Sequence, residues 1–266
     1  MTAGRGLDED GLIIREGALS RVDLAFAPVV AAARERIAAA FGPERLHSAY
    51  LYGSIPRGTA VPGVSDLDLL LALRQPPGAA DRAAADALLA DLDGRFAQLN
   101  GGGVLLFAAE TLLSELERYD LGWFVACLCT PLLGPDLAEQ LPRYRPDSLL
   151  ARETNGDLAP LLPRWRERAA AGADPVALSR GAARKIVRTG FTLVMPRWRG
   201  WTSDLLESAE AFASYYPARG GQMRAAATAA RTGSTDPELL SLLLTDLGPW
   251  LAAEYLAVHG EKAPRP

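Results

Sequence analysis

Two aspartates, Asp66 and Asp68, stand at the head of an apolar run, "SDLDLLLAL" from Ser65 to Leu73. A bare carboxylate pointing into an apolar core is costly unless something neutralises it. Strand alternation puts Asp66 and Asp68 on one face and Leu67 on the other. Carboxylates about 6–7 Å apart along a strand can both reach divalent cations. Upstream, "YLYGSIPRG" supplies the complementary parts. Gly53 and Gly58 let backbone N–H groups approach a phosphate closely. The Ser54 hydroxyl can donate to the same phosphate, and Arg57 can serve as a counter-charge. Together these parts suit Mg²⁺-assisted attack on a nucleoside triphosphate, with the metal neutralising the aspartates and helping pyrophosphate depart.

The elements that must position these residues follow from periodicity. "LSRVDLAFAPVVAAARERIAAAF" has helical spacing and stops before Gly42-Pro43. "SAYLYGS" and "LDLLLAL" are strands separated by a Gly/Pro-rich loop. "GAADRAAADALLADLDGRFAQL" is a helix, "VLLFAA" a third strand and "ETLLSELERYD" a short helix. "WFVACLCTPLLG" mixes a helix end with a strand. Helices and strands thus alternate to about residue 140, which predicts an α/β (α+β) domain with a small mixed sheet. Beyond "PRYRPDS" every segment is helical by period, several opening at Ser or Asp caps, and an all-α bundle is expected. The boundary is placed so that residues 1–145 form the first domain and 146–266 the second.

Composition narrows the partners. The chain has 266 residues and no apolar run long enough to span a bilayer, and its N-terminus lacks the pattern of a signal peptide. Cys127 and Cys129 are the only cysteines, and the histidines, His47 and His259, are remote from them, so neither a disulfide framework nor a zinc set is indicated. A reducing, cytoplasmic setting fits. Residues 1–150 carry 20 acidic and 13 basic residues and the remainder 12 and 15, for a net charge of −4. That balance argues against a nucleic-acid-binding surface. Of the 28 basic residues only Lys185 and Lys262 are lysine, and Lys185 sits inside the helical stretch "LSRGAARKIVRTGF". A compact ammonium there is a candidate for a phosphate contact, against the alternative of a solvated helix face.

The pattern resembles the nucleotidyltransferase superfamily that includes DNA polymerase beta. Its signature is an apolar residue, Gly-Ser, a spacer near this length and Asp-x-Asp in an apolar strand. "GTAVPGVSDLDLLL" further resembles the loop of aminoglycoside adenylyltransferases, with one extra residue between Pro62 and Ser65. "TPLLGPDLAEQLP" is similar to a later strand of that family, ending in Gly-x-Asp. The resemblance implies that Asp66 and Asp68 hold Mg²⁺, two ions in the family. It also implies that Gly53, Ser54, Arg57, Ser65 and Lys185 hold ATP or another NTP, and that a small-molecule acceptor binds in an interdomain cleft. Transfer of AMP to an aminoglycoside-like hydroxyl is the leading activity it implies. "WTSDLLESAEAFASYYP" adds Trp201, Asp204 and Glu207, aromatic and acidic groups that suit a cationic or sugar-like acceptor; periodic aromatics in helices more often pack inward. One part is missing. The family's third carboxylate, early on the next core strand, has no counterpart in "GGGVLLFAAE", where Glu110 stands at the far end. Asp204 or Glu207 is then a candidate base, or the acceptor needs none. The alternatives are a nucleotide-binding or antitoxin-like protein with an idle site, and an enzyme that modifies protein or RNA.

Overall fold

The leucine run after Asp66 is apolar at nearly every position because both faces of its strand are covered. In the computed structural model, which describes residues 5–265, β1 (Leu46–Tyr52), β2 (Leu67–Leu73), β3 (Gly102–Ala108) and β4 (Thr130–Leu133) form one sheet in the order β3-β2-β1-β4. β1 runs antiparallel to β2 and β4, whereas β2 and β3 are parallel, so the sheet is mixed as expected. The helices of this unit are α1 (Ala27–Arg45), α2 (Ser54–Arg57), α3 (Ala79–Arg95), α4 (Ala109–Leu113) and a single turn, α5 (Leu121–Trp123), that runs into a π turn at Phe124–Leu128. Leu67, Leu69, Leu71 and Leu73 bury one face of β2 against Val29, Ala33 and Ile37 of α1 and Leu88 and Leu92 of α3. Leu70 and Ala72 bury the other with Tyr50, Ala109, Leu112, Val125 and Cys129. A central strand buried on both faces reads as a near-continuous hydrophobic run. Asp68 therefore interrupts a strand that has no outward face over most of its length.

α1 starts later than its periodicity predicts. A 3₁₀ turn occupies Leu19–Arg21 and the helix proper opens with Pro28 in its first turn, where a missing N–H costs nothing. Its far end matches: Gly42 has φ 61° and ψ 169°, which breaks the helix at the expected Gly-Pro step.

The second unit comprises residues 144–265 together with 5–13. Its helices are α6 (Ser148–Asn155), α7 (Leu158–Ala170), α8 (Pro175–Trp198), α9 (Leu205–Tyr215), α10 (Pro217–Thr232), α11 (Pro237–Ser241) and α12 (Gly248–His259), with a π turn at Leu242–Leu247. The carboxylates of Asp147, Asp174, Asp204 and Asp236 each accept backbone N–H groups of the helix they precede. α8 is the central element, with Ile186, Val187, Phe191, Leu193, Val194 and Met195 all buried. The first residues depart from the expected division. Residues 5–13 belong with the helices because the Trp201 N–H donates to the Arg5 carbonyl and the Ile13 N–H to the Tyr144 carbonyl. Such pairings across more than a hundred residues leave no local pattern. Among the described residues, no helix is long and apolar enough to cross a membrane.

The end of α1 is tied to the start of α3 by one ion pair. Arg45 gives Nε and Nη2 to the two oxygens of Asp81, at 2.8 and 2.5 Å, and Asp81 also accepts the Gly78 N–H at 2.7 Å. The Arg45 hydrogen bonds, with the Gly78 N–H, hold the Asp81 carboxyl down at about 2. A carboxyl held below its ordinary value stabilises the fold above that value and stops doing so as pH falls through the folded one. Asp81→Asn should thus lower Tm by a few degrees at pH 7. The gap to the parent should close between pH about 4 and about 2, measured by thermal unfolding across that range.

Candidate functional site

The site forms where β1 ends and β2 begins. Tyr52, the last residue of β1, lies opposite Asp68, and on the other side Asp68 is in register with Gly103 of β3. Gly53 turns the chain out of β1 with φ 82° and ψ −152°, a conformation that residues with a Cβ avoid. A Cβ on Gly53 would lie 2.5 Å from Asp68 Oδ2, and one on Gly103 would lie 4.0 Å from Asp68 Oδ1. The carboxylate is flanked by two glycines, half-buried at the sheet's edge. Asp66 is exposed, one residue before β2.

α2 follows Gly53 as a single turn, closed by Gly58 in the left-handed region (φ 74°). The Gly58 N–H donates to Ile55 O and the Thr59 N–H to Ser54 O. Ser54 opens this turn and is half-buried. Arg57 bends back: its Nε donates to the Gly53 carbonyl at 3.0 Å, and its Nη1 is 3.7 Å from Glu16 Oε2. Ser65 has a local task that sequence reading missed. Its Oγ accepts the Val61 N–H at 2.9 Å while its own N–H donates to Val61 O, folding the 61–65 loop onto itself.

Gly53, Ser54, Arg57, Ser65, Asp66 and Asp68 thus gather on one turn and the adjacent strand start. The remaining sequence candidates lie in the helical unit, each with a partner there. Lys185 Nζ is 2.5 Å from Asp157 Oδ1, and Lys262 Nζ is 3.8 Å from Oδ2 of the same residue. Burial pushes the Asp157 carboxyl up, but the two ammoniums more than offset this and hold it below its ordinary value. Trp201 is buried, edge-on to Phe191 with ring centroids 5.6 Å apart. It packs in the core, as inward aromatics do. Asp204 Oδ1 caps α9, accepting the Leu206 and Glu207 N–H groups at 2.9 and 2.8 Å, and Glu207 accepts the Thr202 hydroxyl.

Two further acidic positions are resolved by the register. Glu110 lies in the first turn of α4, seven residues past Gly103, hence about 20 Å further along the strand direction than the residue beside Asp68. Asp136 of the Gly-x-Asp stretch is a structural anchor. It takes Nη1 and Nη2 of Arg15 at 2.7 and 3.2 Å and the Ala138 N–H at 3.1 Å.

The donor set bears on the metal. Two carboxylates provide only hard oxygen donors, which suits Mg²⁺, an ion that keeps several waters and is usually held by one or two carboxylates plus phosphate oxygens. A side chain at Gly53 would meet Asp68 Oδ2, so only glycine at 53 lets the turn pass this close to the carboxylate. Among the described residues no group of three or more His, Cys, Asp or Glu is placed to hold a metal.

No protein-family model matches the chain, and no curated protein matches it in sequence. A solved structure does match: the crystal structure of spectinomycin adenyltransferase AAD(9) from Enterococcus faecialis with ATP and spectinomycin. The similarity covers 86% of this chain and 98% of that one, with a TM-score of 0.53 and 14% sequence identity. The chain therefore shares the fold of that adenyltransferase.

Proposed function

We propose that the chain is a Mg²⁺-dependent nucleotidyltransferase that moves a nucleoside monophosphate, AMP from ATP, to a small-molecule acceptor. The observation that carries this reading is the Asp68 carboxylate set between Gly53 and Gly103, next to a strained glycine turn that opens with Ser54. On this reading Asp66 and Asp68 hold the metal. When bound, Mg²⁺ would neutralise the carboxylates and stabilise charge on the α-phosphate and the leaving pyrophosphate. The Gly53–Ser54 turn orients the triphosphate through backbone N–H groups and the Ser54 hydroxyl, for which the lack of a Cβ at Gly53 provides the close approach. The fold similarity to an adenyltransferase solved with ATP favours ATP as the nucleotide, and spectinomycin in that structure favours a hydroxyl-bearing antibiotic-like acceptor. Lys185, paired with Asp157 in the structure, is a further phosphate contact on this reading.

A second reading is that the domain binds nucleotide without transferring it. One observation favours it: Gly103 occupies the β3 position beside Asp68, where a third carboxylate could have served as base.

The two readings separate by incubation with Mg²⁺, each labelled NTP and a panel of aminoglycosides, following pyrophosphate. Acceptor-dependent release that chelation abolishes is expected. Asp66→Asn and Asp68→Asn should each reduce it by at least about 10³-fold, since each removes a charge that positions the metal. ATP binding without release supports the second reading, and absence of nucleotide binding removes both. Gly53→Ala provides an independent check. It forces a Cβ to 2.5 Å from Asp68 Oδ2 at positive φ, so nucleotide affinity should fall about tenfold or more and Tm by several degrees.

A further inference from the structure

The residues just before α1 hold the Gly53 turn. The segment 14–18, "IREGA", runs between the end of the π turn and α2. The Glu16 N–H donates to the Cys127 carbonyl and the Ala18 N–H to the Pro56 carbonyl, both at 2.9 Å. Gly17 permits the passage: a Cβ there would lie 2.4 Å from Thr130 Oγ1 and 3.0 Å from Pro56 Cβ. On one side Arg15 anchors the segment, with Nε on the Ala126 carbonyl and its two Nη atoms on Asp136. On the other the Glu16 carboxylate meets Arg57 Nη1 at 3.7 Å, and Arg57 Nε holds the Gly53 carbonyl. Arg21 continues the contact: Nη1 donates to the Glu16 carbonyl, and its own carbonyl packs where a Cβ on Gly58 would stand, 2.7 Å away. The Glu16 side chain is 14% exposed and Arg57 31%, so the pair is partly shielded from water.

We propose that residues 14–18 are a strap and that Glu16 is a positioning residue, holding the Arg57 guanidinium against the Gly53 carbonyl and so fixing the Gly53–Ser54 turn. The importance of this turn for phosphate binding rests on the function proposed above; the strap itself rests on the contacts just described. Arg57 then acts through its planar fork, which addresses two acceptors at once, and not as a simple counter-charge to phosphate. A lysine carries the same charge but lacks that fork.

The test compares the full chain with Glu16→Gln, Glu16→Asp and Arg57→Lys, and with Arg36→Gln as a control that breaks the Arg36–Asp91 pair between α1 and α3. Amide hydrogen exchange across residues 53–59 reads the turn directly. Glu16→Gln and Arg57→Lys should each speed exchange at Gly58 and Thr59 about tenfold, with little change elsewhere, and Glu16→Asp should recover part of the protection. ATP affinity with Mg²⁺ should fall in parallel, by about tenfold, and in Glu16→Gln kcat at saturating ATP should stay nearly unchanged. Exchange in the turn that stays at parent level, or that rises no more than in Arg36→Gln, overturns the strap. So does a uniform rise over the whole domain, which marks a merely structural role. If the parent chain binds no nucleotide, the proposed function fails, and the exchange measurement still decides the strap.

Discussion

The candidate site depends on a close approach: the Gly53 backbone passes so near Asp68 that any side chain there would collide with its carboxylate. Two strands make the approach possible. β1 and β2 are paired antiparallel up to Tyr52 and Asp68, so the chain leaving β1 and the chain entering β2 are forced together at one end of the two central strands. A carboxylate at the end of a strand buried on both faces can be accommodated only where the covering helices stop. The Gly53–Ser54 turn stands at that same end. The leucines of β2 and the aspartates that precede and interrupt them are thus two consequences of one layer arrangement.

Much of this was legible in the chain itself. Asp66-Leu67-Asp68 predicts alternation, and the structure agrees: Leu67 packs toward α1 and α3, while Asp68 shares its face with Tyr52 and Leu70. The break of α1 at Gly42, the sheet layer and the helical second unit were also readable, because Gly-Pro steps, short apolar runs and period-3.6 runs are local signals, whereas the strand directions that make the sheet mixed are not. The motif Gly53-Ser54 was visible for the same reason, since a glycine before a one-turn helix leaves a compositional mark.

What was not legible is set by contacts between distant segments. "IREGA" has no period and no motif, yet Arg15 finds its partner 121 residues away at Asp136. Ser65 reads as a ligand contact because serine precedes Asp66 in a recognisable order; what the order does not reveal is that its Oγ also accepts the Val61 N–H of its own loop, which leaves the O–H as a donor. Lys185 reads from its own helix as either a phosphate contact or part of a solvated face, and Asp157, its partner in the structure, comes from the segment before α7. Both lysines of the chain meet the same carboxylate, and the arginines are spent elsewhere on carbonyls and bidentate carboxylate pairs, as with Arg184 on Ala230 O and Arg224 on Glu210.

The β3 register sharpens the question of the missing carboxylate. Gly102 and Gly103 stand beside Leu67 and Asp68, and a Cβ at Gly102 would lie 2.4 Å from the Leu67 carbonyl. A side chain at 102 is therefore excluded by packing, whereas 103 has room for one, with nothing nearer its Cβ than Asp68 Oδ1 at 4.0 Å. The absence of an acidic group at 103 is thus a choice of residue and not a steric necessity. Two carboxylates carry the charge of one divalent cation, and the other acidic candidates are occupied or remote: Asp204 caps α9, Glu207 holds Thr202, and Glu110 lies at the far end of β3. On the proposed reading, no β3 carboxylate beside Asp68 receives the proton of the acceptor's hydroxyl, and water is its receiver.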